Sequence, residues 1–318
     1  MSNALPEALV PLMRRAERLE WWSIAWTISV IAVMGAAMGS SQTMKTAWIE
    51  DCLSLIPPIV FLVAVRVERW APTNRFPNGF QRAPSLAFAI AAAALTALGG
   101  SLLVNSAMSL FAQEHATIGA IDVFGHELWL GWVMVAAQIY SIVVPLVLGR
   151  LKLPLARALN DKTLFTDAQT QKANWMTGIA GIGGVIGIGL GYWWADAVAA
   201  GIIALDILND GLRALRAATA ELVDGTPRAL DSPKIAEDAA AIDQLLRARF
   251  PGAEVRLRET GRIIHAQVIG ATPPAQKVYP ATYWTGDPER SWRLGQISFV
   301  APEPAEQEPA ASASKGNG

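Results

Sequence analysis

The chain has 318 residues, of which 52% are hydrophobic and 17% charged, with a net charge of −1. Soluble domains usually carry about 25% charged residues, and a chain without a basic excess is a poor partner for nucleic acid, whose phosphates need a basic stripe. The only cysteine, Cys52, excludes a disulfide within the chain and a cysteine-rich zinc cluster.

Six apolar segments are long enough to cross a bilayer, whose core of about 30 Å needs roughly 20 apolar residues per helix. They are 21–39, 47–65, 84–111, 128–148, 175–193 and 195–212. Several tryptophans lie near their ends, as in interfacial aromatic belts. We therefore predict an amino-terminal arm over 1–20 and an all-α bundle of six transmembrane helices over 21–220.

The distribution of Lys and Arg predicts the orientation of the bundle. These residues occur in the arm, in the second–third loop and in the fourth–fifth loop, which includes Lys152 and Lys162. The third–fourth loop, 113–127, contains none. By the positive-inside rule both termini are cytoplasmic, and we predict a multi-pass protein of the cell membrane.

The fifth segment is rich in glycine, from Gly178 to Gly191. Such density favours close approach between helix backbones. A phosphate-binding loop is disfavoured, because no strand precedes the glycines and no Lys followed by Ser or Thr comes after them.

After the sixth segment the composition becomes that of a soluble protein. Residues 234–249 have a helical apolar stripe, 253–259 and 262–269 alternate around Thr260-Gly261 as in a hairpin, and 292–300 could form a third strand. We predict a small cytoplasmic α+β domain of ferredoxin-like type over 228–301. The tail 302–318 is of low complexity and is predicted to be disordered.

Two acidic residues, Glu50 and Asp51, lie in the second apolar segment. Charge at membrane depth is expensive, so such residues usually face a bundle interior or line an ion path. Pro57 and Pro58 follow, and they leave nearby carbonyls without helical partners, which suits a kinked helix beside a cavity. An interfacial position for Glu50, near Lys45, remains an alternative.

A second polar cluster precedes the fifth segment. Its members, at spacings of three and four that place them on one helix face, are Asp167, Thr170, Gln171 and Asn174. If this face meets the second segment, oxygen ligands from two helices converge, and such ligands favour hard divalent ions. Asp167 and Gln171 could instead belong to a solvated extension of the helix.

In these features the sequence resembles the cation diffusion facilitators, which exchange divalent metal ions for protons. The stretches that carry the resemblance are KTAWIEDCLSL (45–55), RFPNGFQRAPSL (75–86), DKTLFTDAQTQKANW (161–175), YWWADAVA (192–199) and ELVDGTP (221–227). The resemblance implies six membrane helices, a cytoplasmic α+β domain and a homodimer.

The resemblance also implies where a transported metal binds. The four ligand positions of the family fall on Asp51, Leu55, Thr170 and Asn174. Leu55 cannot ligate a metal and Thr170 is a weak ligand, so the usual tetrahedral zinc site is disfavoured. We predict a metal site formed by Asp51 with Glu50, Asp167, Thr170 and Asn174, for zinc, manganese, iron or cobalt.

The predicted function is divalent-cation efflux by cation/proton antiport and alternating access, without an organic cofactor. An alternative is a degenerate, non-transporting subunit that dimerises with an active transporter or regulates it. Enzymatic activity is disfavoured, because the sequence contains no nucleophile–base constellation and no phosphate loop.

Overall fold

The computed structural model describes residues 6–37, 48, 51–112, 120–123, 126–192, 194–232, 234–275, 279–285 and 287–301. Glu50, the greater part of the first–second loop and the tail 302–318 lie outside the described residues, and so do the predictions made for them.

Among the residues that the structure describes, six helices of thirteen residues or more lie in the amino-terminal two-thirds of the chain, and each overlaps one predicted apolar segment. They are α1 (Val10–Ala37), α2 (Ile56–Glu68), α3 (Ala83–Phe111), α4 (Leu130–Leu159), α5 (Lys162–Gly189) and α6 (Ala195–Leu222). A short antiparallel pair, β1 (Ala120–Val123) and β2 (His126–Trp129), lies between α3 and α4. Within the described residues two stretches, Ala83–Phe111 and Ile139–Leu159, are long and apolar enough to cross a membrane. Six crossings therefore remain a prediction.

The first helix begins eleven residues earlier than its apolar segment, because the preceding turns also bury side chains. Met13 and Ala16 pack with Phe61 of α2 and with Leu159 and Leu164 of the α4–α5 pair. Residues 10–20 are therefore part of the bundle, and the prediction of a separate arm was wrong for them.

The fourth–fifth loop is also shorter than predicted. Helix α4 ends at Leu159 and α5 begins at Lys162, so only Asn160 and Asp161 connect them. Asn160 adopts a positive φ of 47°, and the Asp161 carboxylate accepts a hydrogen bond from the Leu164 amide (2.9 Å), as an N-cap does. The lysines expected in a solvated loop, Lys152 and Lys162, are consequently buried in helices.

The backbones of helices α3 and α6 approach each other closely at two glycines, Gly99 and Gly211. A Cβ on Gly99 would lie 2.5 Å from the Leu208 amide nitrogen, and one on Gly211 would lie 2.7 Å from the Thr96 nitrogen. In the fifth segment, where the glycine density predicted a packing face, Gly178 and Gly187 are buried, whereas a Cβ on Gly183 would meet no atom within 4 Å.

This approach gives a test with a control in the adjacent residue. We expect Gly99→Ala to lower the free energy of unfolding by about 1–3 kcal/mol, because the new methyl group must push the two backbones apart. Gly100→Ala should be neutral or stabilising by up to about 1 kcal/mol, since alanine favours a helix and its Cβ would meet no atom within 4 Å. Thermal unfolding of the purified variants in detergent measures both, and equal stabilities would contradict the close crossing.

The carboxy-terminal domain packs one helix on one sheet. Helix α7 (Glu237–Arg249) buries Ile242 and Leu246 against three strands, β3 (Glu254–Thr260), β4 (Ile263–Ile269) and β5 (Leu294–Val300). The order is β3-β4-β5, with β3 and β4 antiparallel and β4 and β5 parallel. The helix and the three predicted strands are confirmed. A ferredoxin-like fold has two helices and four strands, whereas short 3-10 turns, Pro280–Tyr283 and Pro288–Arg293, lie between β4 and β5 here.

The hairpin turn of this domain inserts into one end of the helix bundle. Gly261, at a φ of +61°, and Arg262 form the two-residue turn between β3 and β4. The Gly261 amide donates to the Ser85 hydroxyl of α3 (2.8 Å), and that hydroxyl donates to Glu221 of α6 (2.6 Å).

Two buried cationic side chains, Arg262 and Lys162, form ion pairs at this junction. Arg262 donates to Asp161 (2.8 Å), which precedes α5, and to Glu68 (2.9 Å), the last residue of α2. Lys162 donates to Glu221 (2.6 Å) and also pairs with Glu259 of β3. The carboxy-terminal domain is therefore held to the bundle by charged hydrogen bonds that solvent hardly reaches.

Candidate metal centre

The second predicted span, residues 47–65, is interrupted beside Asp51. Asp51–Leu53 forms a helical turn, the chain turns at Ser54 and Leu55, and α2 then begins with Pro57 and Pro58 in its first turn. Because Pro57 has no amide hydrogen, it cannot donate to the Leu53 carbonyl four residues earlier. The interruption thus brings a carboxylate and a carbonyl without its helical donor into one short stretch, as the proline pair predicted.

The second span meets α5 at this interruption. The Ser54 hydroxyl donates to Oδ1 of Asn174 at 3.1 Å. Further along, Phe61 of α2 belongs to the same buried cluster as Leu164 and Phe165 at the start of α5, so the two helices run antiparallel. Asp51 precedes Ser54 by three residues and hence lies on the same side of its helix, one turn away.

Thr170 lies one turn of α5 from Asn174, on the side that faces away from Asp51 along the axis of the two antiparallel helices. Three residues separate Asp51 from Ser54 and four separate Asn174 from Thr170, which places Asp51 and Thr170 about 10 Å apart along the axis at 1.5 Å per residue. The buried Thr170 hydroxyl donates to the Thr166 carbonyl (3.2 Å). Asp51 and Asn174 are therefore the predicted site residues that the antiparallel packing brings nearest to each other.

Asp167, the remaining predicted ligand among the described residues, is paired with a lysine. It is fully buried and forms an ion pair with Lys152 of α4, which also donates to Glu20 (2.8 Å) and Ser23 (2.9 Å) of α1. Gln171 donates to the same Ser23 hydroxyl at 3.0 Å. The solvated face considered for Asp167 and Gln171 was wrong, because α4 and α1 cover both residues.

The predicted site residues thus fall into separate groups. Asp51 and Asn174 flank the contact between the second span and α5, Asp167 belongs to the lysine cluster, and Glu50 lies outside the described residues. Among the residues that the structure describes, no three His, Cys, Asp or Glu side chains form a group that could hold a metal ion.

Three residues that contribute to this region were not singled out from the sequence. Ser54 could have been found, because its spacing of three from Asp51 puts it on the same helix face. Glu20 could also have been found, since Glu20, Ser23 and Thr27 are polar residues at helical spacing. The structure shows that all three are buried. Lys152 could not have been found in this way, because it follows the apolar segment, where a lysine is expected to lie in a loop.

Comparison with known proteins identifies a family for most of the chain. Residues 21–223, well over half of the chain, match the family described as the cation efflux transmembrane domain. The chain is also similar to the manganese efflux system protein MneS of Bacillus subtilis (strain 168), with 20% identity over 246 residues that cover 76% of this chain and 78% of that protein.

Proposed function

The chain belongs to the cation efflux family of membrane transporters, and on this basis we propose that it exports a divalent metal ion through a site built on Asp51 and Asn174. The observation that carries the proposal is the contact of Ser54 with Asn174, which joins the interrupted second span to α5 beside the Asp51 carboxylate. Asp167 is left out of the proposed ligands because Lys152 occupies it, and Thr170 because of its distance.

The donor chemistry favours a hard ion. Asp51 offers a carboxylate, Asn174 an amide oxygen and Leu53 a backbone carbonyl, and oxygen donors of this kind suit manganese better than zinc, which prefers imidazole and thiolate. A relative named for manganese efflux supports the same choice. We therefore propose Mn²⁺ as the exported ion, with water completing its coordination shell.

Export against a gradient needs an energy source and a moving site. We propose that metal leaves in exchange for protons, and that the site opens to alternate sides of the membrane as α2 and α5 change their packing. We also propose a homodimer: the half-exposed pair of Lys172 and Asp206 (3.1 Å) lies on the outer face of α5 and α6, where a second copy would shield it from lipid.

Asp51→Asn should abolish manganese transport. The substitution removes the one carboxylate among the proposed ligands that the structure describes, and it preserves the size of the side chain. Loss of a group that only supports a metal ligand lowers affinity or activity by about 10–100-fold. We expect the loss of this ligand to lower the flux by at least as much. The measurement is Mn²⁺ uptake into proteoliposomes under a pH gradient, with Zn²⁺, Fe²⁺ and Co²⁺ in parallel.

The control for this experiment is Asp243→Asn, which removes a carboxylate from an exposed pair with Arg247 in the carboxy-terminal domain and should leave flux unchanged. Equal flux of all four metals through wild type and Asp51→Asn would refute the proposed site.

The alternative of a non-transporting subunit is favoured by Leu55 and Thr170 at positions where the family resemblance implies ligands. Such a protein would bind no Mn²⁺ in calorimetry and carry none in liposomes, yet would associate with an active transporter.

A further inference from the structure

A buried ion cluster joins three helices of the bundle away from the proposed metal ligands. Glu20 of α1, Lys152 of α4 and Asp167 of α5 each have side chains with 0% exposure. The Lys152 ammonium donates to Oε2 of Glu20, to Oδ2 of Asp167 and to the Ser23 hydroxyl. All three of its protons are thereby used.

The cluster contains more negative than positive charge. One ammonium faces two carboxylates, so the cluster carries a net charge of −1 if both carboxyl groups are ionised. Two further oxygens, Oε1 of Glu20 and Oδ1 of Asp167, are buried and accept no hydrogen bond in the described structure. An uncompensated charge and two unsatisfied acceptors are each unfavourable in a buried site.

Within the described residues, Lys152 is the one cation that pairs with Glu20 and Asp167. Other charged groups on the neighbouring elements pair with each other: Glu17 with Arg69, Asp161 and Glu68 with Arg262, Lys162 with Glu221 and Glu259, and Lys172 with Asp206. The remaining arginines of α1 and α4 point away from the buried cluster and are exposed: Arg14, Arg15, Arg18, Arg150 and Arg157. A proton on one carboxyl group restores neutrality and converts one of the two unsatisfied acceptors into a donor.

The Lys152 ammonium lies closer to the Asp167 carboxylate than to that of Glu20, so the ionised form is better stabilised at Asp167. We propose that Glu20 therefore holds one exchangeable proton in this cluster, and that this is the proton exchanged for metal. The carboxyl group releases H⁺ and becomes a carboxylate paired with Lys152 when the metal site fills, and it takes up H⁺ again when the metal leaves. The second half of this inference rests on the proposed export function. The proton site is distinct from Asp51 and Asn174.

Helix α5 provides the connection between the two sites. Asp167 and Asn174 are seven residues apart, which puts them on one face of α5 and about 10 Å apart along its axis. Two positive charges on a bound metal at that distance in a buried region disfavour a second bound cation. Metal binding near Asn174 should therefore expel the proton from Glu20. Asn174 cannot titrate and so cannot itself carry the exchanged proton.

The proton can be observed directly by infrared spectroscopy of the full-length protein in lipid nanodiscs. At neutral pH we expect the carbonyl band of a protonated carboxyl group, which shifts when glutamate alone is labelled with ¹³C and disappears on addition of Mn²⁺. Glu20→Gln should lack the band, bind Mn²⁺ in calorimetry without releasing this proton, and show the same Mn²⁺ flux with and without a pH gradient.

Several results would overturn the inference. These are the absence of the band from wild type, a band that responds to labelled aspartate instead of glutamate, and a band that persists in Glu20→Gln or is insensitive to bound Mn²⁺. The labelling needs no variant, so it holds even if Glu20→Gln fails to fold. Wild type that carries Mn²⁺ but lacks the band contradicts the proton site alone. Wild type that has the band but carries no metal contradicts the export function alone.

Discussion

Replacing Arg262 with alanine should lower the free energy of unfolding by about 3–5 kcal/mol, the usual effect of removing one partner from a buried ion pair. Arg262 donates to both Asp161 and Glu68, and Asp161 is 2% exposed. Burial alone would lower the pKa of the guanidinium, but the charges of Asp161 and Glu68 outweigh it and raise that pKa above its ordinary value. Without Arg262 the Asp161 carboxylate remains buried and lacks its counter-charge.

The effect should be visible in thermal unfolding of the purified protein and in faster proteolysis between α6 and α7, since Arg262 holds the hairpin turn to the bundle. Arg262→Lys should lie between wild type and alanine, because an ammonium cannot reproduce the two-sided contacts of a guanidinium. Arg247→Ala is the control: its pair with Asp243 is exposed, and such pairs contribute at most about 1 kcal/mol. Equal stability of the Arg262 and Arg247 variants would contradict a structural role for the junction.

The existence of the helices and of the three carboxy-terminal strands could be predicted from the sequence, because local patterns carry that information, whereas the pair β1 and β2 was not predicted. Apolar runs of the right length mark α1 to α6, and Thr260-Gly261 between alternating segments marks the β3–β4 hairpin that the structure contains. The ends of the helices could not be predicted equally well. Lys152 and Lys162 interrupt the apolar pattern as loop residues do, and only their buried carboxylate partners keep them inside helices.

The candidate site could be predicted in part for the same reason. The spacing of three and four along α5 correctly places Asp167, Thr170 and Gln171 on one buried face, with the half-buried Asn174 one turn further along. Which element covers each of them is a tertiary property. Asn174 meets Ser54 of the second span, whereas Asp167 meets Lys152. Lys152 is only fifteen residues away, but nothing in that interval indicates that α4 folds back directly onto α5.

Lys152→Met should be the most destabilising single change in the bundle, at about 3–5 kcal/mol or more, because one ammonium serves two buried carboxyl groups. Methionine fills the volume of the aliphatic stem but donates no hydrogen bond. Glu20, Ser23 and Asp167 then lose a common donor, and at least one buried negative charge has no counter-ion. Chemical denaturation in detergent measures the loss, and acidic pH should restore part of the stability because protonation neutralises the carboxylates.

A second variant separates this explanation from a simple packing defect. Lys152→Met combined with Glu20→Gln and Asp167→Asn removes all three charges at nearly constant volume, and replacing a buried ion cluster with neutral groups is often close to neutral in stability. We therefore expect the triple variant to be more stable than Lys152→Met alone. Lys234→Met, at an exposed position, should leave stability unchanged. A triple variant as unstable as the single one would show that the shape of Lys152, rather than its charge, holds α1, α4 and α5 together.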